Sequence, residues 1–282
     1  MDVIVLVLIT FVAATANGAL GYGFSSITVP VALLFFTNRI LNPALVLIEL
    51  VINAYVLFIN RKSIPNVFWR VAPILGGLAV GVGIGSYLLF LVQPAWIKFV
   101  TYLFLLPLIL LQAAGIRKPI RAEKAIGVPF GMGLGTLYSL TTISGPPLAL
   151  LFNNQGYPKE DFRAALGIIR LTESSLTAIA YGFIGFYSAD SMEIIPYIVP
   201  SVIIGIPLGT YLIRLMDPET FRRICMAFDG LIVGFGLSRV LVELHLASTL
   251  TTYSILSIVV LINGYLLFRF FRDRPDPRQI PS

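Results

Sequence analysis

The chain has 282 residues, of which 57% are hydrophobic and only 12% are charged, and its net charge is +6. Soluble domains carry about 25% charged residues, so this composition, with apolar runs of helical length throughout, indicates a polytopic helical membrane protein. The sequence shows no alternating strands typical of a membrane β-barrel. Its basic residues lie in short loops rather than in the stripe of a nucleic-acid-binding protein, so no nucleic-acid partner is expected.

Helical pieces are predicted along the whole chain. The first half contains five, near 2–17, 27–37, 42–60, 68–91 and 94–114. The second half contains another five, near 122–140, 146–153, 160–183, 193–215 and 218–242, and a last apolar run covers 248–271. The second piece of each half has only about 8–11 residues, which at 1.5 Å per residue cannot cross a hydrocarbon core of roughly 30 Å. We therefore expect it to be a half-helix that forms a hairpin with the piece before it.

The two halves of the sequence match each other. "PVALLF" at 30–35 aligns with "PLALLF" at 147–152, and "GVGIGSYL" at 81–88 aligns with "GIPLGTYL" at 205–212. Matches that follow in order, with spacings that increase slowly along the chain, indicate an internal duplication. We therefore predict a first repeat at 1–116, a second at 117–245, and a C-terminal membrane helix with a basic tail at 246–282.

The loop charges predict the orientation of the repeats. If each hairpin enters and leaves the membrane on the same face, all four basic segments lie in the cytoplasm. The two loops without Lys or Arg, at 186–194 and 245–250, then lie outside. The basic segments are 61–70, 117–124, 214–223 and 269–278. The hairpin of each repeat returns to the side it came from, and three membrane crossings follow it. Each repeat therefore crosses the membrane an odd number of times, so the second repeat is inverted. The predicted fold is an all-α polytopic membrane protein with two inverted repeats, each a broken-helix hairpin plus three spanning helices, and one extra C-terminal span.

The tips of the two hairpins carry the candidate site. Tip 1 is "GALGYGFSSITVP" at 18–30, and tip 2 is "GTLYSLTTISGPP" at 135–147. Ser, Thr and Pro there fit the caps and first turns of half-helices, whose free N–H groups and partial positive charge would bind an anion. The alternative is ordinary local satisfaction of helix backbone by Ser and Thr. The predicted substrate-binding residues are Ser25, Ser26, Thr28, Thr141, Thr142, Ser144, Gly145 and Arg170.

Ionisable residues within the predicted spans are functional candidates, because charges are costly in a membrane. Arg170 could bind the anion with two N–H groups, or pair with Glu173 on its own helix, or pair with Glu49 at the repeat-related position. These alternatives stay open at the sequence level. Residues that could line the site or couple transport are Tyr22, Glu49, Asn53, Tyr138, Glu173 and Asp229. Glycine stripes, such as 77, 81 and 85, indicate close helix packing.

The sequence contains little that could serve a cofactor or an enzyme. Its single cysteine, Cys225, excludes an internal disulfide and a CxxC site, and its single histidine, His245, lies in a predicted loop. An intramembrane enzyme would need a nucleophile and base within the spans. No Walker A sequence suggests ATP use. We expect no enzymatic activity, no cofactor and no metal site.

The stretch "GMGLG…ISGPPLALLFNNQGYPKEDFR" within 131–163, together with "GYGFSSITVP" at 21–30, resembles the TauE/SafE sulfite exporter family. The similarity covers nearly the whole chain. It implies transport of sulfite or organosulfonates, usually outward, across the bacterial cell (inner) membrane. The inverted repeats indicate a secondary transporter, and the loop charges place the N-terminus outside and the C-terminus in the cytoplasm. A passive anion channel and a carrier of a different small anion are the alternatives. The expected partners are a small inorganic or organosulfur anion and the lipid bilayer, and homo-oligomer formation is left open.

Overall fold

A computed structural model of the protein describes residues 2–114, 123–153, 159–212 and 218–272, and this part of the chain is helical without strands. The helices of the first half are α1 (Asp2–Leu20), α2 (Phe24–Ala32), α3 (Asn38–Ile59), α4 (Ile64–Leu91) and α5 (Pro94–Ala113). Those that follow are α6 (Glu123–Thr141), α7 (Gly145–Asn153), α8 (Lys159–Ile184), α9 (Ala189–Glu193), α10 (Ile195–Leu212), α11 (Pro218–Glu243) and α12 (Thr249–Arg272). The predicted helical class is therefore confirmed.

Both short helices that the sequence predicts are present. Helices α2 and α7 have nine residues each, or about 14 Å, which is half of a hydrocarbon core. Helix α2 lies at 24–32 rather than at 27–37, because the chain leaves the helix in a turn after Ala32. The piece predicted at 193–215 is divided into the short α9 and α10. Residues 117–122 and 214–217 of the predicted basic segments, and the tail after 272, lie outside the described residues.

Six stretches of the described chain are long and apolar enough to cross a membrane. They are Val3–Leu20, Asn38–Ile59, Arg61–Leu91, Pro94–Leu111, Ala189–Leu212 and Thr249–Arg272. Helices α8 and α11, which the sequence treats as spans, fall outside this set although each has 26 residues. Both carry several charged residues, and their buried members face other helices rather than lipid. Large apolar side chains such as Phe183 and Leu250 cover the outside of the bundle, as expected of a membrane protein.

The closest helix contacts join one half of the chain to the other. Helix α1 packs along α10, and α4 packs along α6. A Cβ atom on Gly209 would overlap the backbone oxygen of Thr15, and one on Gly81 would overlap that of Met132. The glycine stripes therefore let these helix backbones approach closely. The reciprocal pattern agrees with a duplication, since α1 and α6 hold matching places in the two halves, as do α4 and α10. The inverted orientation of the repeats and their domain limits remain predictions.

Two hydrophobic cores meet at the tips. One contains side chains of α1, α2, α3, α5, α10 and α11, and the other contains side chains of α4, α6, α7 and α8. Helices α3 and α8, one from each core, pack against each other. Polar side chains that belong to neither core are buried along this contact. The candidate site therefore lies at the boundary between two packed groups of helices.

Candidate functional site

The structure brings the two tips together. A Cβ atom on Gly145, the first residue of α7, would lie 3.3 Å from Ser26 Oγ and 3.3 Å from Tyr22 Cδ2, both in tip 1. Gly23 N would be 3.7 Å away. The N-termini of α2 and α7 are therefore neighbours, and their partial positive charges act on the same small volume. Glycine at 145 keeps this approach open.

Unusual backbone conformations form both tips. Gly21 and Gly23 have φ of 83° and 108°, in a region where only glycine is unstrained. Thr142 in tip 2 has φ of 58°, which a β-branched residue rarely adopts. Such a residue costs about 1–3 kcal/mol and persists only where its surroundings enforce it. The surroundings of Thr142 in tip 2 therefore enforce this conformation.

The capping roles predicted in tip 1 are wrong. Helix α2 begins at Phe24, and its cap is Gly23, which makes no side-chain cap bond. Ser25, Ser26 and Thr28 therefore lie inside α2 instead of preceding it. The left-handed conformation of Gly23 lets the helix start earlier than the hydroxyl cluster suggests. The three hydroxyl groups are buried and available for other bonds.

Tip 2 uses its hydroxyl groups in two ways. Thr141 Oγ1 donates to the Leu137 carbonyl at 2.7 Å and accepts from Ile143 N at 3.1 Å, and the Thr142 hydroxyl donates to the Thr141 carbonyl. These bonds are local, as the alternative reading of the sequence expects. Ser144 immediately precedes α7, but its hydroxyl donates to Glu173 Oε2 at 2.6 Å. Thr141 and Thr142 thus shape the tip, while Ser144 connects it to α8.

Glu49 of α3 is the centre of a buried polar cluster. It accepts hydrogen bonds from Ser25 Oγ at 2.6 Å, Tyr138 OH at 2.8 Å and Arg170 Nη2 at 2.7 Å. The side chains of Glu49 and Arg170 are 0% and 4% exposed. The cluster joins α2 and α3 in one core to α6 and α8 in the other. Three donors, one of them a guanidinium, compensate the buried carboxylate.

The pairing of Arg170 is settled among the alternatives that the sequence leaves open. Its ion pair is with Glu49, at the repeat-related position, and Glu173 accepts from Ser144 instead. Asn53 donates to Ser174 Oγ at 3.3 Å, and these two positions also match in the repeat alignment. Residues at matching positions of the repeat alignment are therefore in contact where α3 packs on α8. A ligand role for Arg170 in addition to the ion pair remains a prediction.

One face of α8 carries polar atoms without partners. Arg170, Glu173 and Thr177 follow each other at spacings of three and four, so they share a helix face. Arg170 Nε, Glu173 Oε1 and Thr177 Oγ1 are all buried without a hydrogen bond, as is Thr28 Oγ1 in α2. Buried polar atoms without partners are rare and costly. Their concentration here indicates a place where something else binds.

Several residues that complete the tips were missed by the sequence analysis. Asn42 and Asn38 donate to the Leu140 carbonyl, at 2.7 and 3.3 Å, where α6 ends. Arg163 Nη2 donates to the Ala19 carbonyl, near the end of α1, at 3.3 Å. These donors satisfy carbonyls of broken helices that would otherwise be unpaired. No local pattern could have identified them, because donor and acceptor are about 100 residues or more apart.

Asp229 lies elsewhere. It is 1% exposed in α11, and neither carboxylate oxygen has a hydrogen bond. Its neighbour Gly230 faces Asn263 of α12, while α11 also packs against α2. The structure therefore does not bring Asp229 into the Glu49 cluster.

A cavity of about 400 Å³ lies between α5 and α6, lined mainly by apolar residues, with Pro147 at its edge. Thr136 and three other residues of tip 2 line it, but none of the predicted substrate-binding residues and none of the charged residues of the cluster does. Among the described residues, no group of three or more His, Cys, Asp or Glu side chains could hold a metal ion.

Comparison with known proteins gives one match. The family model described as Sulfite exporter TauE/SafE matches residues 6–237, which include both tips, the Glu49 cluster and Asp229. Helix α12 lies beyond the matched region. No curated protein and no solved structure matches the chain.

Proposed function

Since the chain belongs to the TauE/SafE sulfite exporter family, a family of membrane transporters, we propose that it carries a small sulfur-containing anion outward by alternating access. The substrate would be sulfite or an organosulfonate, and the membrane would be the bacterial inner membrane, with the N-terminus outside and the C-terminus cytoplasmic. The anion would bind where the two tips meet.

The observation that carries this proposal is the buried, unpartnered Nε of Arg170. Its guanidinium shares Glu49 Oε1 with Ser25 of α2, and the N-termini of α2 and α7 meet. Arg170 Nη2 is engaged by Glu49, so the guanidinium is held in place while Nε can still donate. The Thr28 hydroxyl, on α2, is a second buried donor without a partner. Sulfite and sulfonates present three oxygens, which matches a set of donors approaching from different helices. Peptide N–H groups at the starts of α2 and α7 would supply the remaining donors.

The closed arrangement of the site supports a carrier. The Glu49 cluster and the tip hydroxyl residues are nearly inaccessible to solvent, so an anion bound there could leave only after helices separate. We expect the two groups of helices to separate at the boundary between the two cores, because polar contacts cross it. The glycine contacts between α1 and α10, and between α4 and α6, join the two halves of the chain. We therefore propose that these pairs move as units, instead of one repeat rocking against the other.

Outward movement of an anion is favoured by an interior-negative membrane. The gain is about 2.3 kcal/mol for each elementary charge and each 100 mV. An ATP-driven step is therefore unnecessary.

Counterflow in proteoliposomes tests the proposal. Vesicles loaded with unlabelled sulfite or alkanesulfonate should transiently accumulate the labelled anion, whereas a passive channel gives no such overshoot. Arg170→Lys should abolish most of the accumulation, and Arg61→Lys, at an exposed arginine that donates to the Phe58 carbonyl, should not. Counterflow supported by phosphate or chloride, but by no sulfur-containing anion, would show a carrier of a different substrate. Absence of counterflow with every anion would exclude a carrier.

A further inference from the structure

We propose that Glu173 binds one proton together with the anion, so that transport is coupled to proton movement. This inference rests on the proposed function and adds to it a second binding site of defined chemistry. The site is the Glu173 carboxyl group, held between α7 and the polar face of α8.

Glu173 is bonded very differently from Glu49, although both carboxyl groups are fully buried. Glu49 accepts three hydrogen bonds, one of them from a guanidinium. Glu173 accepts one, from the neutral hydroxyl of Ser144, and its Oε1 has no partner. A buried carboxylate with so little compensation is costly, whereas a carboxyl group that carries a proton avoids most of that cost. The structure therefore provides one permanent counter-charge to Arg170 and one carboxyl group suited to exchange a proton.

The charge balance explains why proton and anion would bind together. With both carboxyl groups ionised, Glu49, Glu173 and Arg170 carry a net charge of −1, which opposes entry of an anion. A proton on Glu173 makes the trio neutral, and the partial positive charges of the two half-helix N-termini then favour a negative ligand. Release of the proton would favour release of the anion. The two binding events therefore assist each other.

The surroundings of Glu173 contain few other ionisable groups. Helix α3 contributes Glu49, α6 contributes Tyr138, and α8 itself contributes Arg170. Ser144, which immediately precedes α7, contributes its hydroxyl. Helix α4, which also packs on α8, has apolar side chains and glycines at its buried positions, with Ser86 as the one polar exception. No buried lysine or histidine from these helices is present in the described chain to take over the role.

A proton fits this site better than a metal cation. A cation such as Na⁺ would need several oxygen ligands around it. The free oxygens on this face of α8 are Glu173 Oε1 and Thr177 Oγ1, which are too few. A proton needs only one.

Coupling to protons is compatible with export. A monovalent anion that moves with one proton is carried without net charge, and it leaves the cell only while its outward concentration ratio exceeds the opposing proton gradient. A dianion with one proton still moves one negative charge, so an interior-negative potential continues to drive it outward.

The test uses methanesulfonate, whose charge does not change in the working pH range. In proteoliposomes with the membrane potential clamped at zero, a gradient of one pH unit should accumulate the labelled anion about tenfold on the alkaline side. Glu173→Gln should retain counterflow but lose this accumulation. Asp190→Asn, which alters an exposed carboxyl group in α9, should accumulate like the parent.

Each other outcome is decisive. Tenfold accumulation by Glu173→Gln would overturn the assignment of the proton to Glu173. If the parent shows counterflow but the pH gradient causes no accumulation, proton coupling is overturned and the proposed carrier function is not. The same holds if a Na⁺ gradient at equal pH causes the accumulation. Absence of counterflow in the parent would overturn both proposals. If Glu173→Gln does not fold, proton uptake by the parent decides: a pH indicator in weak buffer should report about one proton for each methanesulfonate bound, and none would refute the coupling.

Discussion

Replacing Glu49 by glutamine should destabilise the protein strongly. Glutamine keeps the shape of the side chain but removes the negative charge and one of two acceptor oxygens, which now serve Ser25, Tyr138 and Arg170. Arg170 is left as a buried cation without its counter-charge. Breaking a buried ion pair from one side costs about 3–5 kcal/mol. For a protein of this size, each kcal/mol corresponds to about 2–4 °C, so we expect the melting temperature to fall by about 6–20 °C.

The matched control is Glu173→Gln, at an equally buried carboxyl group on the neighbouring helix. Glu173 accepts only one bond, from the neutral hydroxyl of Ser144, so weakening or losing it should cost at most about 0.5–1.5 kcal/mol, or about 1–6 °C. Both variants can be measured side by side by thermal unfolding of purified protein in one detergent. Equal expression and elution as a single species establish that the comparison is between folded proteins.

A second substitution tests the cause. Adding Arg170→Met to Glu49→Gln removes the uncompensated cation, so at least half of the lost stability should return. A Glu49→Gln protein that melts within about 2 °C of the parent would refute the reasoning. So would a Glu173→Gln protein that is the less stable of the two, because Glu49 would then not be the centre of the cluster.

Three further predictions follow from the same structure. Arg170→Lys should fold but bind the anion about 10- to 100-fold more weakly in a titration of purified protein, since a lysine keeps the charge and loses the second donor; unchanged affinity would exclude Arg170 as a ligand. Gly81→Ala should reduce the yield of folded protein sharply, because its Cβ meets backbone of α6, whereas Gly83→Ala, which faces open space, should express normally; equal yields would contradict the packing of α4 on α6. In a cysteine-free background, a cysteine at Ala189 should react with an impermeant reagent in intact cells and one at Pro277 should not; labelling at Pro277 would reject the inverted topology.

The sequence predicts most of the fold because helix length and hydrophobicity are local properties. The nine-residue α2 and α7 were expected from their short apolar runs and flanking breakers. The contact between Glu49 and Arg170 was one of three alternatives, and the repeat alignment was what suggested it. The start of α2 was misplaced, because a glycine at positive φ can cap a helix without a side chain. The neighbouring residues of the sequence do not show that Gly23 has this role.

The candidate site was less predictable, because its bonds join distant parts of the chain. Ser25 looked like a cap but serves a carboxylate on another helix. Asn42 and Thr177 carried no signal, since an Asn at the start of a helix and a Thr inside one are ordinary in membrane proteins. Their importance depends on which helix faces them, and Thr177 stands out only because its hydroxyl is buried without a partner.

Direct location of the anion tests the central claim, that the meeting point of the tips is the binding site. Selenite is an electron-rich analogue of sulfite, and its selenium can be located by anomalous diffraction from crystals of the protein. We predict one strong peak within hydrogen-bonding distance of Arg170 Nε and the N-termini of α2 and α7. A peak only in the cavity between α5 and α6 would contradict the account. So would the absence of any peak in crystals of a protein that binds selenite in solution.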